Sequence, residues 1–307
     1  MQRRSISFFS DGLRLDGELH VPGDLANGEQ VPGLITCSGF TGLKDIHPAR
    51  FARAFVEHGY VCLAFDYRGF GDSEGKQGRL VPQEQVEDVR SAVSFLETVS
   101  EVDPDRIALL GWALGGGIAI QTAADDQRVR AVATINAIGD GERSTRSMHD
   151  QHSWQKLLGR IAEDRKRRVL EGESELVHPF EVVRLDEVTR DYVESELYKF
   201  EGYGSKISLE SADYLLRFRP DTLVERIAPR PLLLIHGAEN RLHPPSESEE
   251  LYRGAGEPKE LVMLAGSGHT EWAFDEHPTY RRVLDLIRKF FGKSLVECCE
   301  GSRPTTP

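Results

Sequence analysis

Cysteine is scarce in this chain. Among 307 residues there are four, at Cys37, Cys62, Cys298 and Cys299. The first two stand in separate apolar runs and the last two are adjacent, so their spacing fits neither a zinc site nor a disulfide framework. Such a pattern is typical of proteins in a reducing compartment. We therefore predict a cytoplasmic protein that needs no metal or other cofactor.

Long hydrophobic runs are missing as well. Asp11 and Arg14 interrupt the apolar residues that follow the N-terminal arginine pair, so no secretory signal peptide is predicted. No run elsewhere approaches the length of a membrane-spanning helix. From these absences we expect neither a leader peptide nor a membrane anchor.

Positive charge is in deficit. Lysine and arginine number 38 against 50 aspartates and glutamates, which gives a formal net charge of -12 at pH 7. This balance argues against nucleic acid or an anionic membrane as a partner. A small molecule is the expected partner, and a homodimer is left open.

Apolar runs of strand length alternate with amphipathic helical stretches through most of the chain. Residues 5–9 and 13–21 predict an antiparallel hairpin with one solvated face. After it, strand and helix alternate until about residue 135, which favours an α/β fold with a doubly wound, mostly parallel sheet. Further strands are predicted at 231–235 and 260–264, before a C-terminal amphipathic helix that ends at Gly292.

A charged segment interrupts this alternation. Residues 140–220 contain plausible helices at about 155–170 and 185–197, and no clear buried strand. An insertion of this length between core strands is typical of a helical cap over the sheet edge. The predicted division is a core at 1–139, a cap at 140–220, a second part of the core at 221–293 and a disordered tail at 294–307.

The stretch Gly111-Trp112-Ala113-Leu114-Gly115 follows a strand and opens a helix of small residues. Glycines four apart are typical of a cramped strand–turn–helix corner. The residue at its apex, Ala113, is expected in a strained conformation with its side chain above the sheet edge.

These motifs resemble the α/β-hydrolase superfamily, in particular its capped esterase-like and dienelactone-hydrolase-like members. Four stretches in family order carry the resemblance: residues 38–40, 66–75 and 111–115, and the late pair Asn240 and His269. The resemblance implies an eight-stranded sheet flanked by helices, with the cap inserted between strands six and seven.

The resemblance also assigns positions. The nucleophile position is Ala113, the acid position is Asn240 and the base position is His269, so two of the three depart from a Ser-His-Asp triad. The main-chain N–H groups of Phe40 and Leu114 fall where the family builds its oxyanion hole. An acyl-enzyme cannot form at an alanine, whereas the oxyanion hole does not depend on side chains.

Other residues are weaker candidates. Glu239 and Asp140 are alternative positions for the missing acid. The expected pocket residues are Trp112, Trp272, Ser38 and Thr41. Structural or surface roles are favoured for the remaining residues that could carry chemistry: Cys37 as a buried apolar residue, Asp66 and Arg68 as a pair, and His149, His152 and His243 at the surface.

Three interpretations of the missing nucleophile stay open. The first is a reaction without a covalent intermediate, such as decarboxylation, carbon–carbon cleavage or elimination, with His269 as acid, base or polar anchor. Plant methylketone synthase is similar in having Ala, His and Asn at these three positions. The second is an esterase, thioesterase or lactonase whose serine was replaced by alanine. The third is a ligand-binding protein that kept the pocket and lost catalysis.

Overall fold

A computed structural model describes residues 1–297 of the chain. Eight of its strands form one sheet in the order β1-β2-β4-β3-β5-β6-β9-β10, and β7 and β8 form a separate two-stranded ribbon. The strands are β1 (Gln2–Ser10), β2 (Leu13–Val21), β3 (Val31–Cys37), β4 (Val61–Phe65), β5 (Val102–Trp112), β6 (Val129–Ile135), β7 (Leu176–Val177), β8 (Ile207–Ser208), β9 (Leu232–Gly237) and β10 (Lys259–Leu264).

The predicted eight-stranded, mostly parallel sheet is confirmed. β2 runs antiparallel to both β1 and β4, and every other pairing in the sheet is parallel. Every residue of β4 is buried, as expected for a parallel strand covered by helices on both faces. The carboxyl ends of β3, β5, β6, β9 and β10 therefore meet at one edge of the sheet, where α/β proteins place their sites.

The helices that pack on the sheet are α1 (His47–Val56), α2 (Pro82–Glu97), α3 (Leu114–Asp125), α9 (Ser246–Gly254) and α10 (Pro278–Glu297). Between α3 and α9 the chain also forms α4 (Gly141–Ser147), α5 (Gln151–Glu171), α6 (Pro179–Val182), α7 (Glu187–Ser195) and α8 (Glu210–Leu215). Phe55 of α1 packs on Phe291 of α10, with ring centroids 6.2 Å apart. Within residues 1–297, no helix combines the length and the hydrophobicity that crossing a bilayer requires.

The segment between β6 and β9 contains α4 to α8 and the β7–β8 ribbon. Its two longest helices, α5 and α7, lie where the sequence predicts helices. The ribbon was not predicted, because two-residue strands such as 176–177 and 207–208 carry no periodic signal. Assignment of this segment as a separate cap domain stays a prediction.

The predicted C-terminal boundary is wrong. Helix α10 does not end at Gly292 but continues to Glu297, so a disordered tail does not begin at residue 294. Leu295 is 1 % exposed, and its burial favours continuing the helix past the glycine. Cys298 and Cys299 lie outside the described residues.

Candidate active site

A sharp turn joins β5 to α3, and Ala113 stands at its apex. Its backbone has φ 50° and ψ -122°, which an L-residue adopts only when its surroundings impose it. Two glycines make room for the turn. A Cβ atom on Gly111 would lie 2.2 Å from the Gly115 carbonyl oxygen, and one on Gly115 would lie 2.3 Å from the carbonyl oxygens of Cys37 and Ser38.

Two main-chain N–H groups beside this turn have no hydrogen-bond partner among the described residues. They belong to Leu114, the first residue of α3, and to Phe40 in the loop after β3. The loop lies against the turn, because a Cβ atom on Gly39 would be 3.1 Å from the indole nitrogen of Trp112. Fixed N–H donors of this kind stabilise negative charge that develops on a carbonyl oxygen.

The histidine after β10 is held by the asparagine after β9. The side-chain nitrogen Nδ2 of Asn240 lies 3.2 Å from Nδ1 of His269. The other end of this amide is fixed, because Oδ1 accepts hydrogen bonds from the main-chain N–H groups of Leu242 and His243, both at 3.0 Å. The amide therefore points its N–H₂ group, a donor, at the imidazole.

This orientation sets the tautomer of His269. Since Nδ1 accepts from Asn240, the proton of the neutral ring is on Nε2. A triad aspartate does the opposite: it accepts from Nδ1–H and leaves Nε2 free to take a proton from the nucleophile. In this chain the imidazole consequently presents a hydrogen-bond donor, not a base.

Two further contacts position His269 through its carbonyl oxygen. The indole nitrogen of Trp272 donates to it at 2.6 Å and Nδ2 of Asn136 donates at 3.2 Å. Asn136, which follows β6, also accepts from the N–H of Gly237 at 2.9 Å. Sequence reasoning missed Asn136, although an asparagine directly after a parallel strand with φ 52° is a usable signal.

A second imidazole stands beside the first. The rings of His243 and His269 are in edge-to-face contact, with centroids 5.0 Å apart. Behind the ring, Nδ1 of His243 is 2.8 Å from the hydroxyl of Ser144.

The predicted surface position of His243 is wrong, since the residue is 3 % exposed. His149 is also buried, against Val182, whereas His152 is exposed as predicted.

Burial keeps these imidazoles neutral. It lowers the pKa of His269 to about 4 and holds the pKa of His243 well below its usual value. Burial likewise lowers the pKa of His47 to about 3. At pH 7 the site therefore contains no imidazolium.

His47, His243 and His269 line a cavity of about 90 Å³ between the sheet edge and the segment that follows β6. His47 forms part of its wall, with its ring 4.8 Å from that of Trp272 and 5.3 Å from that of Trp112. The segment after β6 contributes mostly apolar side chains: Phe180, Val183, Leu185, Thr189, Tyr192, Val193, Leu197 and Tyr203. The cavity thus suits an apolar molecule with a few polar groups.

Several predicted site residues do not reach this cavity. Glu239 is exposed, and it is Asn240, not Glu239, that lies within hydrogen-bond distance of the imidazole of His269. Asp140 caps α4 by accepting from the N–H of Arg143, so it does not replace the acid either. The hydroxyls of Ser38 and Thr41 are buried under the loop and lie outside the cavity lining. A one-residue shift along a loop turns a side chain to the other side, which explains the position of Glu239 relative to Asn240.

The predicted pairing of Asp66 with Arg68 is wrong. Asp66 accepts from the main-chain N–H of Lys44 at 2.7 Å and from its ammonium at 2.9 Å. Arg68 instead binds Asp88 of α2 at 2.6 Å. Both are structural, as expected, but each has a partner that is distant in sequence.

The structure offers one possible group of metal ligands among its described residues, and the ammonium of Lys44 already lies among the carboxylates. The group is Asp16, Asp66 and Asp72. The ammonium of Lys44 lies 3.2, 2.9 and 3.0 Å from their carboxylates.

Cys37 is fully buried, and burial raises the pKa of its thiol to about 12, so it is not a thiolate nucleophile.

The sheet order, the strained turn after β5 and the histidine after β10 define an α/β hydrolase. More particularly, the chain belongs to the family described as serine aminopeptidase, S33, whose sequence model matches residues 35–276. The crystal structure of the α/β hydrolase GrgF from Penicillium sp. sh18 superposes on it with a TM-score of 0.82. That likeness has 25 % sequence identity and covers 96 % of this chain and all of the other.

The chain is also similar in sequence to several curated proteins. The polyketide transferase grgF of Penicillium sp is 28 % identical over 299 residues, or 94 % of this chain and 97 % of that protein. A thiohydrolase of Eupenicillium brefeldianum is 25 % identical over 283 residues, or 88 % of each chain. An uncharacterized 31.7 kDa protein of Escherichia coli is 31 % identical over 268 residues, or 86 % and 91 %.

Proposed function

We propose that the cavity binds an acyl or keto-acyl compound of the ester or thioester type. Its carbonyl oxygen would accept hydrogen bonds from the N–H groups of Phe40 and Leu114. The observation that carries the proposal is Ala113, whose φ and ψ are those of a turn that exposes a nucleophile at the cavity wall. The names of the transferase and thiohydrolase relatives support the same substrate class.

The alanine at position 113 limits the catalytic steps that this protein can carry out. No oxygen or sulfur at position 113 can attack the bound carbonyl, so the reaction of this chain does not pass through an acyl-enzyme there. Of the three interpretations, the second, an esterase, thioesterase or lactonase whose serine was replaced by alanine, has the best support from the names of these relatives, and none of those names indicates a lyase.

Restoring a hydroxyl at position 113 tests this proposal. We expect Ala113→Ser/Asn240→Asp to be labelled covalently by a fluorophosphonate, because the strained turn exposes the new hydroxyl beside two N–H donors that stabilise the phosphonyl oxygen, and the second change makes Nε2 of His269 the base that takes the proton of that hydroxyl. Intact-mass spectrometry and peptide mapping measure the adduct and its position.

The parent protein and the matched variant Ala119→Ser, with its hydroxyl inside α3, should stay unlabelled under the same conditions. An Ala113→Ser/Asn240→Asp protein with native circular dichroism and no adduct would contradict the proposal, since it would show that the turn does not present its side chain to the oxyanion donors and the imidazole.

A second candidate reaction is favoured by one observation, the hydrogen bond from Asn240 to Nδ1 of His269. It leaves Nε2–H as a donor, which suits the stabilisation of an enolate. In decarboxylation of a β-keto acid, the bond between the α-carbon and the carboxylate carbon breaks and CO₂ leaves. The electron pair of that bond forms the enolate. The oxyanion would be held by Phe40 N–H, Leu114 N–H and His269 Nε2–H until water supplies a proton.

This second candidate predicts that the parent releases CO₂ from 3-oxohexanoate and that His269→Phe lowers kcat by about 10²-fold, the effect of removing one oxyanion donor. A coupled CO₂ assay measures both. The control Glu239→Gln alters an exposed neighbouring loop and should keep the parent rate. Equal rates for parent and His269→Phe would rule the reaction out at this site.

A further inference from the structure

His243 is a buried imidazole to which the proposed reactions give no role. Its Nδ1 atom is 2.8 Å from the hydroxyl of Ser144, a residue with no exposed surface. That hydroxyl has no other acceptor among residues 1–297, so it donates to Nδ1. The proton of the neutral ring is consequently on Nε2, as it is in His269.

Both imidazoles belong to residues of the cavity wall. His243 and His269 line it, and neither Nε2 atom has a hydrogen-bond partner in the described part of the chain. His243 is buried and His269 is partly buried. With ring centroids 5.0 Å apart, the two imidazoles are direct neighbours in the cavity wall.

The lining of this cavity within residues 1–297 contains no carboxylate, lysine or arginine. The carboxylate of Asp186, whose charge acts to raise the pKa of His269, lines a separate pocket on another side of that residue. Two neutral N–H groups with no acceptor are an incomplete arrangement, because buried donors normally have a partner. A group with two acceptor oxygens completes it, and hydrogen bonds to a charged acceptor are the stronger kind.

We propose that Nε2–H of His243 and Nε2–H of His269 form a carboxylate subsite. The ligand class is then an acyl compound that also carries a free carboxylate, such as a keto acid, in preference to a simple ester. This inference rests on the proposed function in one respect: it takes the ligand's carbonyl to lie at Phe40 and Leu114. It adds a residue, His243, and the charge of the ligand.

The preference for a carboxylate is measured with three ligands of one skeleton. They are 4-oxopentanoate, its primary amide and its methyl ester, titrated into the parent protein at pH 7 by isothermal calorimetry. We expect the acid to bind at least about 10-fold more tightly than the amide or the ester, because only it offers two charged acceptor oxygens.

The variant His243→Phe keeps a ring of similar size and lacks the donor. It should lose at least about 10-fold in affinity for the acid while the ester affinity stays within 2-fold. The matched control His152→Phe changes an exposed imidazole and should bind all three ligands as the parent does.

Nitrogen-15 spectra of the parent provide a test that does not depend on the folding of a variant. We expect both His243 and His269 to show protonated Nε2 and unprotonated Nδ1, and both Nε2–H signals to shift when 4-oxopentanoate is added. Equal affinities for acid and amide, or an Nδ1–H tautomer at His243, would overturn the subsite. Neither result affects fluorophosphonate labelling of Ala113→Ser/Asn240→Asp, so failure of the subsite and failure of the proposed function are distinguishable.

Discussion

The double variant Ala113→Ser/Asn240→Asp is expected to hydrolyse a nitrophenyl ester about 10³- to 10⁴-fold faster than Ala113→Ser alone. The reason is the tautomer of His269. With asparagine at 240, Nε2 carries the proton and cannot take one from the new hydroxyl. With a carboxylate there, Nδ1–H donates to it and Nε2 becomes the base; asparagine at this position in serine proteases costs a factor of this size.

The surrounding structure favours this change. In the aspartate variant, one carboxylate oxygen would still accept hydrogen bonds from the N–H groups of Leu242 and His243. The second carboxylate oxygen would replace Nδ2 opposite His269. Steady-state kcat and burst amplitude measure the effect.

The single variant Asn240→Asp is the matched control. It should show no burst, since alanine at position 113 has nothing to acylate. A double variant no faster than Ala113→Ser would show that the hydrogen bond from Asn240 does not set the tautomer of His269.

The variant Gly115→Ala is expected to lose more than about 4 kcal/mol of unfolding free energy, or to fail to fold. A Cβ atom on Gly115 would lie 2.3 Å from two main-chain carbonyl oxygens, those of Cys37 and Ser38. Neither can move without displacing the loop after β3 from the turn at Ala113. Urea titration followed by tryptophan fluorescence measures the loss.

Gly159→Ala is the matched control, because Gly159 lies in α5 and nothing stands within 4 Å of its added Cβ atom. It should gain about 0.5–1 kcal/mol, the helix propensity difference between the two residues. If Gly115→Ala unfolds at the same urea concentration as the parent, the close approach of the loop and the turn is not present in solution.

Much of the fold could be predicted from local patterns. The continuous apolar run of β4 and the glycines around Ala113 mark a buried parallel strand and a cramped turn wherever they occur. Boundaries were less certain. Gly292 indicated a helix end, yet burial of Leu295 continues α10 to Glu297.

The candidate site could be predicted only in part. Ala113, Asn240 and His269 follow strands that end at the same edge, so their positions along the chain were enough to group them. His243 and Asn136 were missed, because each acts through a partner about a hundred residues or more away. Cavity residues from the segment after β6, such as Tyr192, were missed for the same reason.

The sequence by itself determined that position 113 has no nucleophilic atom and that asparagine stands where an aspartate is expected. It could not say which way the amide of Asn240 points or where the proton of each imidazole lies. The tertiary structure decided both, because hydrogen-bond direction depends on which groups from distant segments are brought together. The N–H groups of Leu242 and His243 orient the amide, and Ser144 orients the second ring.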